Sequence, residues 1–600
     1  MDIVYNPFKS EHKSPVGGNL VNEEIKINIK ITKRFNVFDL RLVYFNDDDN
    51  KLNRVSLNKI EDEKYNLYQT KISFEEIGLY WYYFEMDDCY GTHYIDCSYS
   101  LEGYLTDNHK NSFQLLIHDE FKGSLDWIKG KIIYQILVDR FNKGDYEYQK
   151  DYAIMHGNWN EIPNYKMVNG KIYNNDFFGG NLKGVIEKLP YLKELNVGAI
   201  YLNPIFDAYS NHKYDTGNYL EIDKMFGNDE IFKELCDRAN ELGIRIILDG
   251  VFNHTGSDSI YFNRYGRYNE VGAYQSKNSK YYDWYKFTHY PDKYACWWDF
   301  KTLPAVNQDN KGFRNFITQE VVKKWLKLGA SGFRFDVVDE LNDTFINELH
   351  DSIKNHNPNN ILIGEVWEDA SNKIAYSNRR HYFNGHQLDS VMNYPFKNAI
   401  IEYVLSKDVS YIKNTLRSIV NNYPKHVLDS LMNIISTHDT VRIITALNNV
   451  HLDNRDREAE YKIIDMDKAI KRLKMAITLQ FTLPGVPTIY YGDEAGLEGY
   501  KDPFCRRTMP WGNFNEEIYS FYQRLTKIRK NKVYIDSEFK EIYALDGVYI
   551  FSRGDIYTIV NNSNFSFNFN ICGFDLINDC EVDGVIIPKE EAMIVKGFLK

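Results

Sequence analysis

The sequence predicts an α/β protein whose centre is a closed (β/α)₈ barrel, with an all-β segment on each side of it. From Lys131 onward, short apolar runs alternate with amphipathic helical segments, the pattern of a parallel sheet with crossover helices. There are eight apolar runs, the number of strands that closes such a barrel. The predicted strands are residues 132–138, 199–202, 244–249, 332–336, 361–365, 389–392, 433–437 and 487–491.

Helical segments lie between most of these strands, for example 229–242 and 315–328. A doubly wound open sheet is the alternative for such an alternation. That fold places a glycine-rich phosphate loop after its first strand, and no such loop follows here. The closed barrel is therefore the prediction, within a catalytic domain of residues 126–532.

The segments on either side of the barrel show the shorter period of β-strands. In residues 1–125, alternating runs such as 25–31 are separated by polar turns such as 46–50, which predicts an N-terminal β-sandwich. Residues 533–600 return to short β runs and predict a small C-terminal β-domain.

One connection within the barrel is unusually long. About 80 residues separate the third predicted strand from the fourth, and half of the residues in 281–300 are aromatic. A long excursion over the carboxyl-terminal face of a barrel is usually functional. We therefore predict an inserted subdomain, residues 253–310, that shapes substrate binding. The alternative is that Trp297 and Trp298 form the core of the subdomain itself.

Composition narrows the class of protein. The net charge of −12 argues against nucleic acid or an anionic membrane as a partner, and no run of apolar residues is long enough to span a bilayer. The amino terminus lacks a signal-peptide pattern, and the seven cysteines are scattered without a CxxC pair. These features predict reduced thiols, a cytoplasmic location and no zinc site.

Acidic residues stand at the ends of the apolar strand runs. Asp249 ends IRIILD, Asp336 ends GFRFD, Glu365 ends ILIGE and Asp439 ends NIISTHD. Because all strands of a barrel end on the same face, these carboxylates are expected to meet in one cleft. Any one of them alone is more often a helix cap or loop anchor. Together they suit glycoside hydrolysis, which needs one carboxylic acid to protonate the leaving oxygen and a second carboxylate as nucleophile or base.

Basic and imidazole side chains are expected in the same cleft. Arg334 lies two residues before Asp336, on the same face of the strand, where its guanidinium favours the ionised carboxylate. His254 and His438 stand beside two of the other acids.

Four motifs carry a resemblance to a known family. DGVFNH (249–254), GFRFDVVDE (332–340), GEVW (364–367) and STHDT (436–440) resemble the four signature regions of the α-amylase family, glycoside hydrolase family 13, in order and spacing. The blocks HKYDTGNY, YYGDEAGL and DPFCRR extend the similarity along the chain. The N-terminal segment resembles that of the neopullulanase and cyclomaltodextrinase branch, and CWWDFKTLPAVN (296–307) resembles amylopullulanases.

The resemblance implies a role for each matching residue. Asp336 is the implied nucleophile, Glu365 the general acid/base, and Asp439 the acid that holds sugar hydroxyls. The implied substrate-binding residues are His212, Tyr214, Asp249, His254, Arg334, Trp367, His438, Asp502 and Arg506. Tyr214 is expected beneath the reacting ring, and Trp367 on the side of the leaving group.

The resemblance also suggests a calcium site, because many relatives bind calcium just after the first strand. Here Lys143 stands at a ligand position, and Tyr148 and Gln149 replace an acid or amide pair. Calcium requires six to eight oxygen ligands. We therefore expect no required cofactor and assign no metal-ligating residues, with calcium as the alternative.

The function that the resemblance implies is a retaining hydrolase of α-1,4 bonds in maltodextrins, cyclodextrins or glycogen-derived chains, with some action on α-1,6 bonds. The alternative enzyme is a pullulanase or amylopullulanase that acts mainly on α-1,6 branch points. A non-catalytic glucan-binding barrel is disfavoured, because all three acids are present. The N-terminal domain is expected either to bind polysaccharide or to form a homodimer.

Overall fold

The computed structural model describes residues 2–61, 64–167, 169 and 171–600. The chain divides into two compact units. The first contains the chain up to Lys122 together with Glu368–Asp389 and Ser410–Asp429. The second contains Gly123–Trp367, Ser390–Val409 and Ser430–Lys600. The domain bounds drawn from the sequence stay a prediction.

An eight-stranded parallel sheet forms the centre of the second unit and confirms the predicted barrel. Each strand pairs with its neighbour in the chain, the last pairs with the first, and a parallel bridge between Met392 and Met432 joins the two edges. The strands are β1 Ile132–Ile136, β2 Val197–Leu202, β3 Arg245–Gly250, β4 Ala330–Phe335, β5 Ile361–Gly364, β6 Ser390–Val391, β7 Met432–Asn433 and β8 Val486–Tyr490.

The strands form where the sequence is continuously apolar, because both of their faces are covered. Every residue of β1, β2, β5 and β8 is buried. Strand β7 is shorter than predicted and ends at Asn433. The apolar residues after it enter a loop in which the Thr437 N–H donates to the Thr440 hydroxyl at 3.0 Å. The predicted strand 433–437 was therefore wrong in its bounds, because local side-chain bonds replace the ladder there.

Helices follow the strands, and asparagine begins several of them. Asn228 caps the helix Asp229–Glu241, which confirms the predicted helix 229–242, and Asn515 caps the helix Glu516–Ile528. The other helices of the second unit are Val138–Phe141, Leu182–Glu187, Leu189–Glu194, Lys311–Asn315, the π-helical turn Phe316–Val321, Val322–Lys327, Asp343–His356, Tyr394–Ser406, Ile443–Ala446, Arg455–Glu460, Met466–Thr482 and Val533–Asp536.

The predicted subdomain, residues 253–310 of the excursion between β3 and β4, contains only short elements. They are the 3-10 turns Tyr282–Trp284 and Trp297–Asp299 and the hairpin of Phe287–His289 with Lys293–Tyr294. Phe262 packs against the rings of Tyr285 and Tyr294, with centroids 4.9 and 4.7 Å apart. Much of the aromatic content of this segment therefore forms the core of the excursion itself.

The first unit contains two sheets of five and seven strands that share an apolar core. Their strands are Ile3–Val4, Lys13–Ser14, Asn19–Leu20, Ile25–Thr32, Asp39–Asn46, Asn53–Ser56, Asn58–Glu61, Tyr65–Ile72, Gly78–Asp88, Gly91–Cys97, Gly103–Thr106 and Phe113–His118. In Ile25–Thr32 the isoleucines are buried and the intervening residues are not, as the alternation predicted.

The C-terminal segment forms a six-stranded antiparallel sheet within the second unit. Its strands are Phe539–Leu545, Val548–Arg553, Ile556–Asn561, Phe567–Asp575, Cys580–Ile587 and Glu591–Leu599. Across the described residues, no helix has the length and apolar character needed to cross a membrane.

Candidate active site

The carboxyl-terminal ends of β3, β4 and β5 bring three of the predicted carboxylates to one guanidinium. The Arg334 Nη1 lies 2.8 Å from Asp249 Oδ1 and 2.9 Å from Asp336 Oδ1. The Arg334 Nη2 lies 2.8 Å from Glu365 Oε2. Burial opposes the charge on Arg334, but Asp249 and Glu365 outweigh burial and raise the pKa of Arg334 well above its usual value. Arg334 therefore stays charged and holds Asp336 and Glu365 close together.

Asp336 follows β4 directly and is buried, with its backbone N–H donating to the Gly250 carbonyl. Burial raises the pKa of Asp336 well above its usual value, Arg334 lowers it, and the nearby Glu365, Asp249 and Asp439 raise it further. The carboxyl therefore becomes ionised only at a higher pH than an exposed aspartate does. If the reaction requires the Asp336 carboxylate, activity will fall at low pH as this group takes up a proton.

Glu365 is held by a backbone group and by an indole. Its Oε2 accepts from the Val337 N–H at 2.9 Å, and its Oε1 accepts from the Trp367 indole N–H at 3.2 Å. Trp367 stacks on Tyr394, with centroids 4.0 Å apart. Val337 has φ of 39°, a conformation that is strained for a β-branched residue. This strained turn aims the N–H at Glu365, and sequence reasoning had no signal for it.

The third acid, Asp439, lies in the loop after β7 beside His438. Gln135 Nε2 donates to His438 Nδ1 at 2.9 Å, so the proton of the neutral ring is on Nε2, which lies 3.1 Å from Asp439 Oδ2. Burial, together with Arg506 and Arg334, lowers the pKa of His438 well below its usual value. His438 therefore acts as a neutral hydrogen-bond donor, and Gln135 is a site residue that the sequence analysis missed.

Tyr214 joins these groups from the connection between β2 and β3. Its hydroxyl lies 2.7 Å from both Asp249 Oδ2 and His438 Nε2, and its ring is parallel to that of His438. Tyr201 adds a second hydroxyl to Asp249 at 2.6 Å. Asp249 is thus fully occupied by hydrogen-bond donors and by Arg334, which suits a supporting group rather than a reacting one.

The remaining predicted residues extend the site on the side of Asp439. Arg506 Nη2 lies 3.1 Å from Asp439 Oδ1, and its Nη1 lies 3.0 Å from Asp502 Oδ1. The His212 Nδ1 accepts from the Tyr214 N–H at 3.1 Å, and burial lowers the pKa of His212 to about 3. His212 is therefore neutral near pH 7.

His254 completes the set, with its Nε2 3.1 Å from the Tyr214 carbonyl. Burial lowers the pKa of His254 to about 4, so this ring is also neutral. Direct contacts therefore link every residue that the sequence analysis placed in the cleft. The roles assigned to them stay predictions.

The loop after β1, where many members of the resembled family bind calcium, is closed by protein groups. Asn181 Nδ2 donates to the carbonyls of Gly144 and Tyr146 at 3.2 and 3.0 Å, and Asn181 Oδ1 accepts from the Gly184 N–H. The Lys150 ammonium, from the same loop, lies 2.8 Å from Asp207 and 2.6 Å from Asp223. Calcium needs six to eight oxygens. The Gly144 and Tyr146 carbonyls already accept from an amide, so we propose that this loop holds no calcium.

We expect chelation to leave this protein unchanged. After exhaustive dialysis, EDTA should shift neither the Tm nor the rate of glucan hydrolysis, because the Asn181 amide already donates to the loop carbonyls that a cation would use. A calcium ion at about 100 times its Kd would stabilise the folded state by about 2.7 kcal/mol. Thermal unfolding measured with EDTA and then with added calcium checks this. A fall in Tm that calcium restores would show that the loop does bind the ion.

Comparisons with known proteins identify the family of the chain. Residues 135–515 match the family model described as "Alpha amylase, catalytic domain". The chain is 36% identical over 610 residues to an amylopullulanase from Thermoanaerobacter thermohydrosulfuricus, in a match that covers 92% of this chain and 40% of that protein. It is 32% identical over 568 residues to a cyclomaltodextrinase from Thermoanaerobacter pseudethanolicus, covering 89% of each.

Solved structures show the same fold. The type III pullulan hydrolase from Thermococcus kodakarensis aligns with a TM-score of 0.69 at 24% sequence identity, covering 99% of this chain and 100% of that one. At that identity the likeness shows the fold alone. The chain spans less than half the length of the amylopullulanases it matches, between 32% and 46% of each.

The match of the catalytic-domain model covers well over half of the chain and includes all four signature motifs. The cyclomaltodextrinase match extends over nearly the whole of both proteins. The chain therefore belongs to the α-amylase family of glycoside hydrolases, in the branch of amylopullulanases, cyclomaltodextrinases and neopullulanases that have an N-terminal β-sandwich.

Proposed function

We propose that this chain is a retaining α-glucan hydrolase that cleaves α-1,4-glucosidic bonds by double displacement. The observation that carries the proposal is that Asp336 and Glu365 contact the same guanidinium, at 2.9 and 2.8 Å. We expect two carboxyl groups on one guanidinium to lie too close together for an attacking water between them, which favours a covalent intermediate. We expect their separation to be about 5–5.5 Å, the spacing of retaining enzymes.

In the first half of the reaction, Glu365 gives its proton to the glycosidic oxygen while Asp336 attacks the anomeric carbon. The shortened chain leaves, and the sugar is held as a β-linked ester of Asp336. In the second half, Glu365 takes a proton from water as the water oxygen attacks the same carbon. The ester bond breaks, Asp336 regains its electron pair, and the product keeps the α configuration.

The other residues bind the sugar rather than react. Asp439, fixed by Arg506 and His438, offers carboxylate oxygens to sugar hydroxyls, and it is the most exposed of the three acids. Tyr214 presents a ring whose orientation is set by Asp249 and His438. Such fixed groups supply transition-state contacts without reorganisation.

For substrates, we propose maltodextrins, cyclodextrins or glycogen-derived chains. The relatives named cyclomaltodextrinase and maltogenic α-amylase support α-1,4 cleavage. The three relatives named amylopullulanase support action on α-1,6 bonds as a second candidate. The product released from pullulan separates the two: panose indicates α-1,4 cleavage, and maltotriose indicates α-1,6 cleavage.

We expect hydrolysis to retain the anomeric configuration. Because two successive inversions occur at the anomeric carbon, the first product should be the α-anomer. Proton NMR recorded within the first turnovers, before mutarotation, checks this. Appearance of the β-anomer first would exclude Asp336 as a nucleophile and would assign it to water activation.

The state of assembly is a separate proposal. We propose that the N-terminal domain either binds polysaccharide or pairs two copies of the chain. The solution mass tests this proposal, since a mass of twice 70.8 kDa would support a homodimer. A cytoplasmic location stays a prediction.

A further inference from the structure

Trp298 combines exposure with an unfavourable backbone conformation. The residue has φ of 46°, and Asp299 after it has φ of 63°, both in the left-handed region that glycine adopts without steric cost. Trp298 is 70% exposed, so burial does not explain why a bulky aromatic residue stands at this position. Strained residues of this kind concentrate at binding and catalytic sites.

Specific contacts hold the exposed ring in place. The Trp298 indole N–H donates to Glu340 Oε1 at 3.3 Å, and the ring stacks on Trp297 with centroids 5.1 Å apart. Trp297 in turn stacks on His254 at 5.4 Å. A bridge between His254 and Ala305 pins this loop to the end of β3. The row of rings therefore begins at a residue of the active site and ends at Trp298.

The attachment of Trp298 shows on which side of the cleft it stands. Glu340 ends the 3-10 turn Val338–Glu340, which begins directly after Val337. The Val337 N–H donates to Glu365, the proposed acid/base. Gln308 ties the same turn to Asn253 of the first motif, through the Glu340 carbonyl at 2.9 Å. Trp298 is thus anchored to the turn that holds Glu365, the side where a leaving group departs and an acceptor arrives.

We propose that Trp298 is the stacking platform for the sugar ring on the leaving-group side, and that it sets how the glycosyl-enzyme divides between water and a sugar acceptor. The inference rests on the proposed double displacement. In transfer, an acceptor hydroxyl oxygen bonds to the anomeric carbon, its proton passes to Glu365, and the ester bond breaks with its electron pair returning to Asp336. A flat exposed indole binds a pyranose ring well and binds water poorly. Trp298 thereby raises the fraction of the glycosyl-enzyme that holds a sugar acceptor on the leaving-group side.

The ratio of transfer product to maltose tests the proposal. With α-maltosyl fluoride as donor, the leaving group is fluoride, so the leaving-group side is filled only by an added acceptor, methyl α-glucoside. The ratio at a fixed acceptor concentration does not depend on how fast the intermediate forms. We expect W298G to lower this ratio by roughly fivefold, the worth of one lost stacking contact. W298F, which keeps a flat ring, should keep most of it.

Stability separates a binding role from a structural one. Glycine at position 298 relieves the left-handed strain and removes little buried surface, so W298G should unfold at the same or a higher Tm. A structural tryptophan would instead lower the Tm when removed. The matched control is Y265A, which deletes another exposed ring of the same excursion, 60% exposed, and should leave the ratio unchanged.

The outcomes are distinguishable. If the wild-type protein releases no fluoride, the proposed function fails. If the wild type releases fluoride but W298G gives the wild-type ratio, the role of Trp298 is refuted while the proposed hydrolase function stands. The same conclusion follows if the wild type gives no transfer product at saturating acceptor. An equal fall of the ratio in Y265A would also overturn it, because the effect would then not be specific to Trp298.

Discussion

Replacing Asp336 with asparagine is expected to reduce kcat on maltodextrins by on the order of 10³ or more. The neutral amide does not attack the anomeric carbon and gives no anionic stabilisation to the oxocarbenium-like transition state. Each factor of ten corresponds to about 1.4 kcal/mol of transition-state stabilisation, so the loss exceeds about 4 kcal/mol. Steady-state rates of reducing-sugar release from maltotriose, for the wild type and for D336N, give the comparison.

The fold should survive this substitution. Burial raises the pKa of Asp336, so its anion is held in the folded state at a cost, and an amide of nearly the same shape removes that cost. Arg334 keeps Asp249 and Glu365 as partners. We expect the Tm of D336N to match or exceed that of the wild type. The surface variant D309N, which loses one ion pair with Lys286, serves as the control with unchanged kcat. A kcat for D336N above a tenth of the wild-type value would refute the assignment.

The positions of the reactive groups were predictable because topology decides them. In a parallel barrel every strand ends on one face, so an acid at the end of an apolar run is placed without knowledge of packing. Asp249, Asp336 and Glu365 meet at Arg334 for this reason, although up to 116 residues separate them in sequence. Asp439 reached the same face even though its strand was shorter than predicted.

The features that the sequence did not predict depend on which way a side chain points and on the backbone conformation. Gln135 lies on β1 in an apolar run, and only the fold shows that its amide selects the tautomer of His438. The hydrogen bond from Val337 to Glu365 is made by a main-chain N–H in a left-handed turn, and no side-chain pattern encodes it. Trp297 and Trp298 are adjacent in sequence, yet Trp297 has its indole nitrogen buried and Trp298 is mostly exposed.

Replacing Glu365 with glutamine is expected to produce a loss that depends on the leaving group. On maltotriose, whose sugar leaving group must be protonated, kcat should fall by about 10² to 10⁴. On α-maltosyl fluoride the first step needs no such proton, so the loss in that step should be much smaller. The glutamine oxygen can still accept from the Val337 N–H, which keeps the turn in place. The ratio of the two losses, measured for the same preparation, isolates proton donation from general damage to the site.

The pH dependence gives the second test of the same assignment. In the wild type, activity requires Asp336 ionised and Glu365 protonated, so the profile should be bell-shaped. Because burial raises the pKa of Asp336, activity should fall on the acid side at a higher pH than for an exposed aspartate, as the carboxylate takes up a proton. In E365Q the basic limb should disappear while the acid limb remains. If E365Q is impaired as severely on the fluoride as on maltotriose and keeps both limbs, another group donates the proton, and Glu365 only holds the substrate.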